Sequence, residues 1–128
     1  MLIMKSAMAF LCIVCSFTAH ATAEKVVCFG DSITKRGYPR LLGQTLGVEA
    51  INAGVGGHSS VQALRRMSSD VLDHQPDVVV IFFGTNDLRA DADHAYVPVA
   101  KYRANLKTMI TKCRDQGSRV VLLSLIHI

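Results

Sequence analysis

The sequence predicts an α/β domain built on a doubly wound, flavodoxin-like parallel sheet, with helices on both faces in a three-layer α/β/α arrangement. Four short apolar segments alternate with segments of helical periodicity along the chain. No two apolar segments are joined by a short β-hairpin turn, so parallel crossovers are expected. At 128 residues, of which 50% are hydrophobic, the chain can bury one such core, and the predicted sheet stops after about the fourth strand.

The alternation fixes the order of the elements. Four strands are predicted at 25–29, 48–52, 77–83 and 119–125. The third of these, DVVVIFF, is an unbroken β-branched and aromatic run, which is typical of a central strand buried on both faces. Three helices connect the strands: 38–46, 60–74 with Ser59 or Ser60 as N-cap, and one from near Pro98 to Gly117 as C-cap.

Helical spacing also predicts which side chains face the core. The inward sets are Leu41, Leu42 and Leu46 in the first helix, Val61, Leu64, Met67, Val71 and Leu72 in the second, and Val99, Tyr102, Leu106, Met109, Ile110 and Cys113 in the third.

The first 23 residues have the pattern of a secretory signal peptide. Lys5 precedes the apolar run AMAFLCIVCSFTA, and the small residues at 21–23 predict cleavage between Ala23 and Glu24. The run is about 13 residues long, whereas a membrane-spanning helix needs roughly 20, so no stable membrane anchor is expected. Cys15 lacks the small preceding residue of a lipoprotein signal. The domain is therefore assigned to residues 24–128 and to a secreted or periplasmic location.

The charge pattern does not predict a nucleic-acid partner. Of the 14 Lys and Arg residues only Lys5 precedes residue 24, so 13 basic residues face 10 acidic ones in the predicted mature chain. Lys35, Arg36 and Arg40 form the only local concentration, and no aromatic residues are interleaved with them. These three charged side chains are therefore expected to form a solvent-exposed face of the protein.

Two cysteines follow the predicted cleavage site, Cys28 in a strand and Cys113 in a helix. An oxidising compartment would allow them to pair, but both lie on apolar faces and are expected to be small buried hydrophobic residues. The mature part has no CxxC pair or Cys/His cluster, so no metal is predicted, and no cofactor is expected.

Three polar loops follow the first three predicted strands: GDS at 30–32, NAGVGGHS at 52–59 and GTND at 84–87. Because the carboxyl ends of parallel strands lie at one edge of a sheet, these loops are expected to open together. A serine at the end of a buried strand is either a turn or capping residue or a nucleophile, and only a nucleophile needs a base elsewhere.

The ordered set Gly30-Asp31-Ser32-Ile33, Asn52-Ala53-Gly54-Val55-Gly56-Gly57 and Gly84-Thr85-Asn86-Asp87 resembles the first three sequence blocks of the SGNH hydrolases, also called the GDSL esterase and lipase family. Each block alone is weak, because Gly-Asp-Ser occurs by chance and glycine-rich loops are common turns. Their order and their positions at strand ends carry the resemblance, which covers residues 25 to about 123.

The resemblance implies serine-dependent hydrolysis of an acyl or acetyl ester of carbohydrate or lipid through an acyl-enzyme. It makes Ser32 the nucleophile. The backbone N–H groups of Ser32 and Gly57 and the side-chain amide of Asn86 become the donors of the oxyanion hole. Three more residues near the site have structural roles by the same resemblance: Gly30, Asp31 and Asp87.

The base of this family, a histidine in a later Asp-x-x-His block, has no counterpart in the chain. Histidines after the predicted cleavage site stand at His58, His74, His94 and His127. Ser124, not aspartate, precedes His127 by three residues. His58 adjoins an oxyanion donor and is not expected to reach the serine hydroxyl, His74 suits a helix end and His94 a surface loop. The catalytic Asp and His are therefore predicted to be absent, and this fragment to be nearly inactive.

The final residues, LSLIHI, correspond to one reading frame of a common transposase-adapter sequence, CTG TCT CTT ATA CAC ATC. The last five or six residues are therefore predicted to be non-native, and the natural protein to continue for on the order of 30 residues or more. A second hypothesis remains open on the sequence alone: a noncatalytic ligand-binding or interaction module on the same fold. An Asp-x-x-His after a further strand would favour the enzyme.

Overall fold

The computed structural model describes residues 23–91 and 96–124. Its elements, in chain order, are β1 (Lys25–Gly30), α1 (Ser32–Lys35), α2 (Tyr38–Leu46), β2 (Glu49–Gly54), α3 (Ser60–Asp70), a 3₁₀ turn (Leu72–His74), β3 (Val78–Phe82), α4 (Val99–Asp115) and β4 (Arg119–Leu122). The predicted signal peptide, apart from Ala23, lies outside the described residues. His94 and the terminal LIHI, including His127, lie outside them as well.

The four strands form one parallel sheet in the order β2-β1-β3-β4. This is the strand order of a flavodoxin-like sheet, and it confirms the predicted fold class. In the register of the sheet, Gly30 at the end of β1 pairs with Gly54 of β2 on one side and with Phe82 of β3 on the other. The three loops that follow these strands therefore start side by side, as expected from the sequence.

Helices cover both faces of the sheet. Alternate residues of β1 point to opposite faces, with Val27 and Phe29 on one and Val26 and Cys28 on the other. The first face packs against α3 and α4 through residues that include Met67, Met109 and Cys113. The second face packs against α2 through Tyr38 and Leu42. The strand predicted to be buried on both faces is β3, whose Val78, Val79, Val80 and Ile81 are all buried.

Both cysteines of the described residues are free and fully buried. Cys28 belongs to the apolar cluster on the α2 side of the sheet, and Cys113 to the cluster on the α3 and α4 side. They are small buried hydrophobic residues, as predicted.

The predicted inward faces of two helices are partly wrong. Leu41 and Leu46 of α2 are 56% and 64% exposed, and Val99 at the start of α4 is 63% exposed. Tyr38 and Leu42, one helical turn apart, make the contact of α2 with the sheet. Leu41 is rotated by about 100° from Leu42 and cannot share that face.

The predicted helix 60–74 is shorter than expected. It ends at Asp70, because Val71 leaves the helical region with φ −130°, and a separate 3₁₀ turn follows. Ser59 is the N-cap, as one of the two predicted choices, and its N–H donates to the Gln62 side-chain oxygen at 2.6 Å in a capping box.

The short helix α1 is absent from the predicted elements. Four residues contain no periodic pattern to detect, and the segment looks like a turn from its sequence. The other boundaries shift by one or two residues: β1 runs on to Gly30 and β2 to Gly54, and α4 ends at Asp115, with Gly117 beyond it at φ +87°. β4 ends at Leu122, whereas the prediction extended it to residue 125, outside the described part.

Candidate active site

Ser32 is the first residue of α1, directly after β1 and its following aspartate. Asp31 caps this helix, and its Oδ1 accepts a hydrogen bond from the Ile33 N–H at 2.9 Å. Glycine is required at residue 30, because a Cβ there would lie 2.0 Å from the Thr34 hydroxyl oxygen and 2.8 Å from the Phe82 carbonyl oxygen. The close return of α1 onto the end of β1 fixes where Ser32 lies.

The hydroxyl and the backbone N–H of Ser32 have no hydrogen-bond partner among the described residues. The side chain is half-buried. A seryl hydroxyl that neither caps a helix nor serves a turn is free for another role, so the capping interpretation of Ser32 has no contact to support it.

The glycine loop after β2 passes beside Ser32. A Cβ built on Gly56 would lie 3.9 Å from the Ser32 Cβ. The loop is tied to β1 by a hydrogen bond from the Val55 N–H to the Gly30 carbonyl at 3.1 Å. Gly57 has φ +77°, its backbone is open to solvent, and its N–H has no partner among the described residues. Thus Ser32 and Gly57, predicted on separate loops, lie on one edge of the sheet with unpaired N–H groups.

Asn86 joins the three loops. It is buried, and its side-chain nitrogen donates to the Asp31 carboxylate at 3.3 Å and to the His58 carbonyl at 3.1 Å. Two acceptors around one amide group set its orientation, because the amide oxygen in that place would face two oxygens. Both amide hydrogens therefore have protein acceptors in this structure.

Asp87, the residue after Asn86, binds the N-terminus of α3. Its buried carboxylate accepts hydrogen bonds from the N–H of Ser60, at 3.0 and 3.1 Å, and from the Ser60 hydroxyl. Asn105 of α4 donates to the same hydroxyl oxygen at 2.8 Å. The negative charge sits at the N-terminus of α3, where the helix dipole stabilises it. Together with burial, which is the larger cause, this charge raises the pKa of Tyr102.

Sequence reasoning missed Asn105 and Arg66, and it considered Ser60 only as an N-cap. A signal for Asn105 was available, because it lies between Tyr102 and Met109 at inward helical spacing, where a polar residue needs a buried partner. Arg66 directly follows another arginine, Arg65, and carries no comparable signal.

Arg66 lies almost fully inside the protein, with 13% of its side chain exposed. Its guanidinium donates to the carbonyls of Gly30 at 2.8 Å and Ala53 at 2.9 Å. It also donates from Nε to His58 Nδ1 at 3.1 Å and pairs with Asp70 at 2.7 Å. The group stacks over the Phe29 ring, with 4.6 Å between its central carbon and the ring centroid.

The contact with Arg66 determines the proton position on His58. Arginine keeps its proton, so His58 Nδ1 is the acceptor and the ring proton of the neutral imidazole lies on Nε2. Burial lowers the pKa of His58, the Arg66 charge lowers it further, and Asp70 opposes both. A ring whose Nδ1 lone pair is already engaged, and whose Nε2 carries the proton, is not arranged to take a proton from Ser32.

His74 is the last residue of the 3₁₀ turn after α3. Its carbonyl accepts from the Lys25 ammonium at 3.1 Å, at the amino end of β1, whereas Ser32 follows the carboxyl end. Of the histidines in the described part of the chain, His58 has its Nδ1 engaged by Arg66, and neither His58 nor His74 makes a hydrogen bond to Ser32.

An apolar groove of about 280 Å³ opens next to the third loop. Its lining residues are Phe83, Gly84, Asp87, Leu88, Val97, Val99, Tyr102 and Ser124. Ser32 and Gly57 do not line it. Over residues 23–91 and 96–124, we find no set of three or more His, Cys, Asp and Glu side chains that could hold a metal ion. No helix in the same ranges has the length and apolarity to cross a membrane.

Comparison with curated proteins gives relatives at about one-third identity. The uncharacterized lipoprotein YqeF of Bacillus subtilis is 32% identical over 120 residues, which cover 82% of this chain and 49% of YqeF. Esterase TesA of Pseudomonas aeruginosa is 32% identical over 121 residues, which cover 84% of this chain and 57% of TesA. The chain thus spans about half the length of the curated relatives it matches.

Solved structures show the same fold. The acetyl xylan esterase AlAXEase superposes with a TM-score of 0.70 at 35% identity, covering 77% of this chain and 56% of that one. Axe2, an acetylxylan esterase from Geobacillus stearothermophilus, superposes at 0.70 and 25% identity, covering 79% and 59%. Its structures include catalytic mutants in which alanine replaces a serine, an aspartate or a histidine, and the histidine lies three residues beyond the aspartate in that chain.

The sequence profile of one family matches residues 28–128. The matched region contains all three loops that meet at the edge of the sheet, and its fold is that of the neighbouring esterase structures. The predicted family is therefore confirmed: this chain belongs to the GDSL-like lipase/acylhydrolase family.

Proposed function

We propose that the protein to which this chain belongs is a serine esterase, with Ser32 as the nucleophile that forms an acyl-enzyme. The observation that carries the proposal is that the Ser32 hydroxyl and the backbone N–H groups of Ser32 and Gly57 all lack a hydrogen-bond partner among the described residues, at the place where the glycine loop passes beside Ser32. Backbone donors that are already unpaired can bind an oxyanion without first breaking a hydrogen bond within the protein.

Asn86 is the third donor in this proposal. Its two amide hydrogens are bonded to Asp31 and to the His58 carbonyl. When the carbonyl oxygen of the substrate becomes negatively charged, it competes with these acceptors, and the longer contact, to Asp31 at 3.3 Å, is the one we expect to be exchanged. Asp31 keeps the Ile33 N–H as a partner during that exchange.

The general base is the one catalytic group that this proposal does not assign to the described residues. We propose that an Asp and a His, three residues apart as in the catalytic mutants of Axe2, come from a later segment of the protein. The histidine would take the Ser32 hydroxyl proton and return it to the leaving alcohol, while the aspartate holds its ring. The fragment alone would then hydrolyse esters at a rate close to zero.

The proposed substrates are acyl or acetyl esters of carbohydrate or lipid. Relatives named as an esterase and an acetyl xylan esterase support this class. The apolar groove at the third loop, which is lined by Gly84 and Asp87 but not by Ser32, is a candidate subsite for an apolar part of the ester. The predicted signal peptide, together with a relative named as a lipoprotein, supports export to the periplasm or the medium.

The test compares the whole natural gene product with its Ser32→Ala variant on p-nitrophenyl acetate and on acetylated xylan. We expect the wild type to release acetate and the variant to lose the activity. A matched control is Ser69→Ala, since Ser69 is an exposed serine of α3. Unchanged hydrolysis in Ser32→Ala contradicts the proposal. A folded wild type without any hydrolysis favours the noncatalytic binding module.

A further inference from the structure

We infer that Arg66 is a positioning residue that holds the Ser32 loop and the Gly57 loop at a fixed separation. It binds the backbone at the ends of β1 and β2 and the ring of His58 at the same time. We call this set of contacts the Arg66 clamp. The inference rests on the proposed function, because it assigns to Arg66 a part in the same reaction.

The clamp contacts both loops close to the proposed reacting groups. Gly30, whose carbonyl accepts from Nη2, stands two residues before Ser32. Ala53, whose carbonyl accepts from Nη1, and His58, whose Nδ1 accepts from Nε, stand on either side of Gly57 along the chain. One rigid planar group therefore connects the backbone that carries the nucleophile with the backbone that carries the second oxyanion donor.

The base of the clamp is itself fixed. Asp70, one turn further along α3, accepts from Nη1 at 2.7 Å, and the Phe29 ring supports the face of the guanidinium. The capping box at Ser59 and the Ser60–Asp87 bonds hold the N-terminal end of α3 against the third loop. The Arg66 guanidinium on α3 is thus held in place, and its hydrogen bonds restrict the movement of the Ser32 loop and the Gly57 loop.

A purely structural cation would not need this geometry. Lysine has the same charge, but its single nitrogen cannot reach Gly30, Ala53 and His58 together. The inference therefore predicts that Arg66→Lys keeps the fold and loses the relative placement of the loops. The matched control is Arg65→Lys, because Arg65 precedes it on the same helix and is exposed.

The first experiment does not depend on hydrolysis. In the full-length protein labelled with ¹⁵N, we expect a coupling through the hydrogen bond between Arg66 Nε and His58 Nδ1. We also expect the backbone amide signals of Ser32 and Gly57 to shift together in Arg66→Lys, and to stay in place in Arg65→Lys. Amide signals of Ser32 and Gly57 that do not move in a folded Arg66→Lys overturn the inference, whatever the protein hydrolyses.

The second experiment measures the ester hydrolysis of the same variants. A misplacement of about 1 Å in an active site can cost about 10²-fold in rate, so we expect kcat to fall about 10- to 100-fold in Arg66→Lys with little change in KM. Arg65→Lys should match the wild type. If Arg66→Lys has the same kcat as the wild type, the inference is overturned. If the wild-type protein itself hydrolyses no ester, the proposed function is overturned, and the amide signals alone then test the clamp.

If Arg66→Lys fails to fold, His58→Gln is the second variant. It removes the imidazole acceptor from the clamp and leaves the bonds from Arg66 to Gly30 and Ala53. The Gly57 amide signal should then shift more than the Ser32 amide signal, since His58 adjoins Gly57. Equal shifts at both sites, or none at either, contradict the clamp.

Discussion

Gly57→Ala tests the loop geometry on which the oxyanion hole depends. Gly57 has φ +77°, in the left-handed region, where an L-residue costs about 1–2 kcal/mol. A Cβ at this position would meet nothing within 4 Å, so no steric clash adds to that cost. We therefore expect Gly57→Ala to lower the free energy of unfolding by about 1–2 kcal/mol through backbone strain alone.

Gly56→Ala is the matched control in the same loop. Its backbone is not in the positive-φ region, and an added Cβ would make only an ordinary contact with the Ser32 Cβ at 3.9 Å. Replacing glycine by alanine at a compatible position stabilises a protein by about 0.4–1 kcal/mol, because the unfolded chain loses freedom. The two variants should thus differ in stability by roughly 1.5–3 kcal/mol.

The assay is urea denaturation followed by far-UV circular dichroism, since the chain has no tryptophan for fluorescence. The midpoint should fall in Gly57→Ala and stay or rise in Gly56→Ala, with equal slopes for both. If Gly57→Ala is as stable as the wild type, residue 57 does not occupy the left-handed conformation. The direction of its N–H would then differ from the one assigned to the oxyanion donor.

Three further predictions concern other groups. Asn86→Ala should reduce kcat for ester cleavage by the whole protein about 10²- to 10³-fold, with KM little changed. An unaltered kcat in steady-state kinetics would exclude Asn86 as an oxyanion donor. Ser60→Ala should cost about 1–3 kcal/mol in denaturation, because the Asp87 carboxylate and Asn105 amide lose a buried partner, whereas Ser69→Ala at the surface should stay within about 0.5 kcal/mol. Burial raises the pKa of the Cys113 thiol to about 11. Iodoacetamide at about pH 8 should therefore modify this thiol only after the protein unfolds. Peptide mass spectrometry that finds Cys113 alkylated in the native protein would contradict its burial.

The fold was accessible from the sequence because its signals are long or strongly patterned. The run VVVIF has no position for a solvent-facing side chain, and its burial on both faces follows from that composition. The parallel arrangement then brings the ends of β1, β2 and β3 together without any knowledge of side-chain contacts. The meeting of the Ser32, Gly57 and Asn86 loops was predictable for the same reason.

The contacts inside the site were not accessible in this way. Arg66 adjoins Arg65, and a basic pair on a helix is usually solvated, so nothing local distinguishes the clamp from a surface charge. Likewise, the partner of Asp87 is the N-terminus of α3, 27 residues away in sequence. Helical spacing predicts that Leu41 faces inward with Leu42 and Leu46, whereas only the packing of α2 decides which of its leucines meets the sheet.

The most direct measurement is the site of covalent labelling by a fluorophosphonate probe, which reacts with activated serines. The probe is added to the folded product of the whole natural gene, and the modified peptide is located by mass spectrometry. We predict one adduct, on Ser32, that disappears in Ser32→Ala and persists in Ser69→Ala. An adduct on a different serine, or ester hydrolysis by a protein whose Ser32 remains unlabelled, would contradict the assignment of Ser32 as the nucleophile.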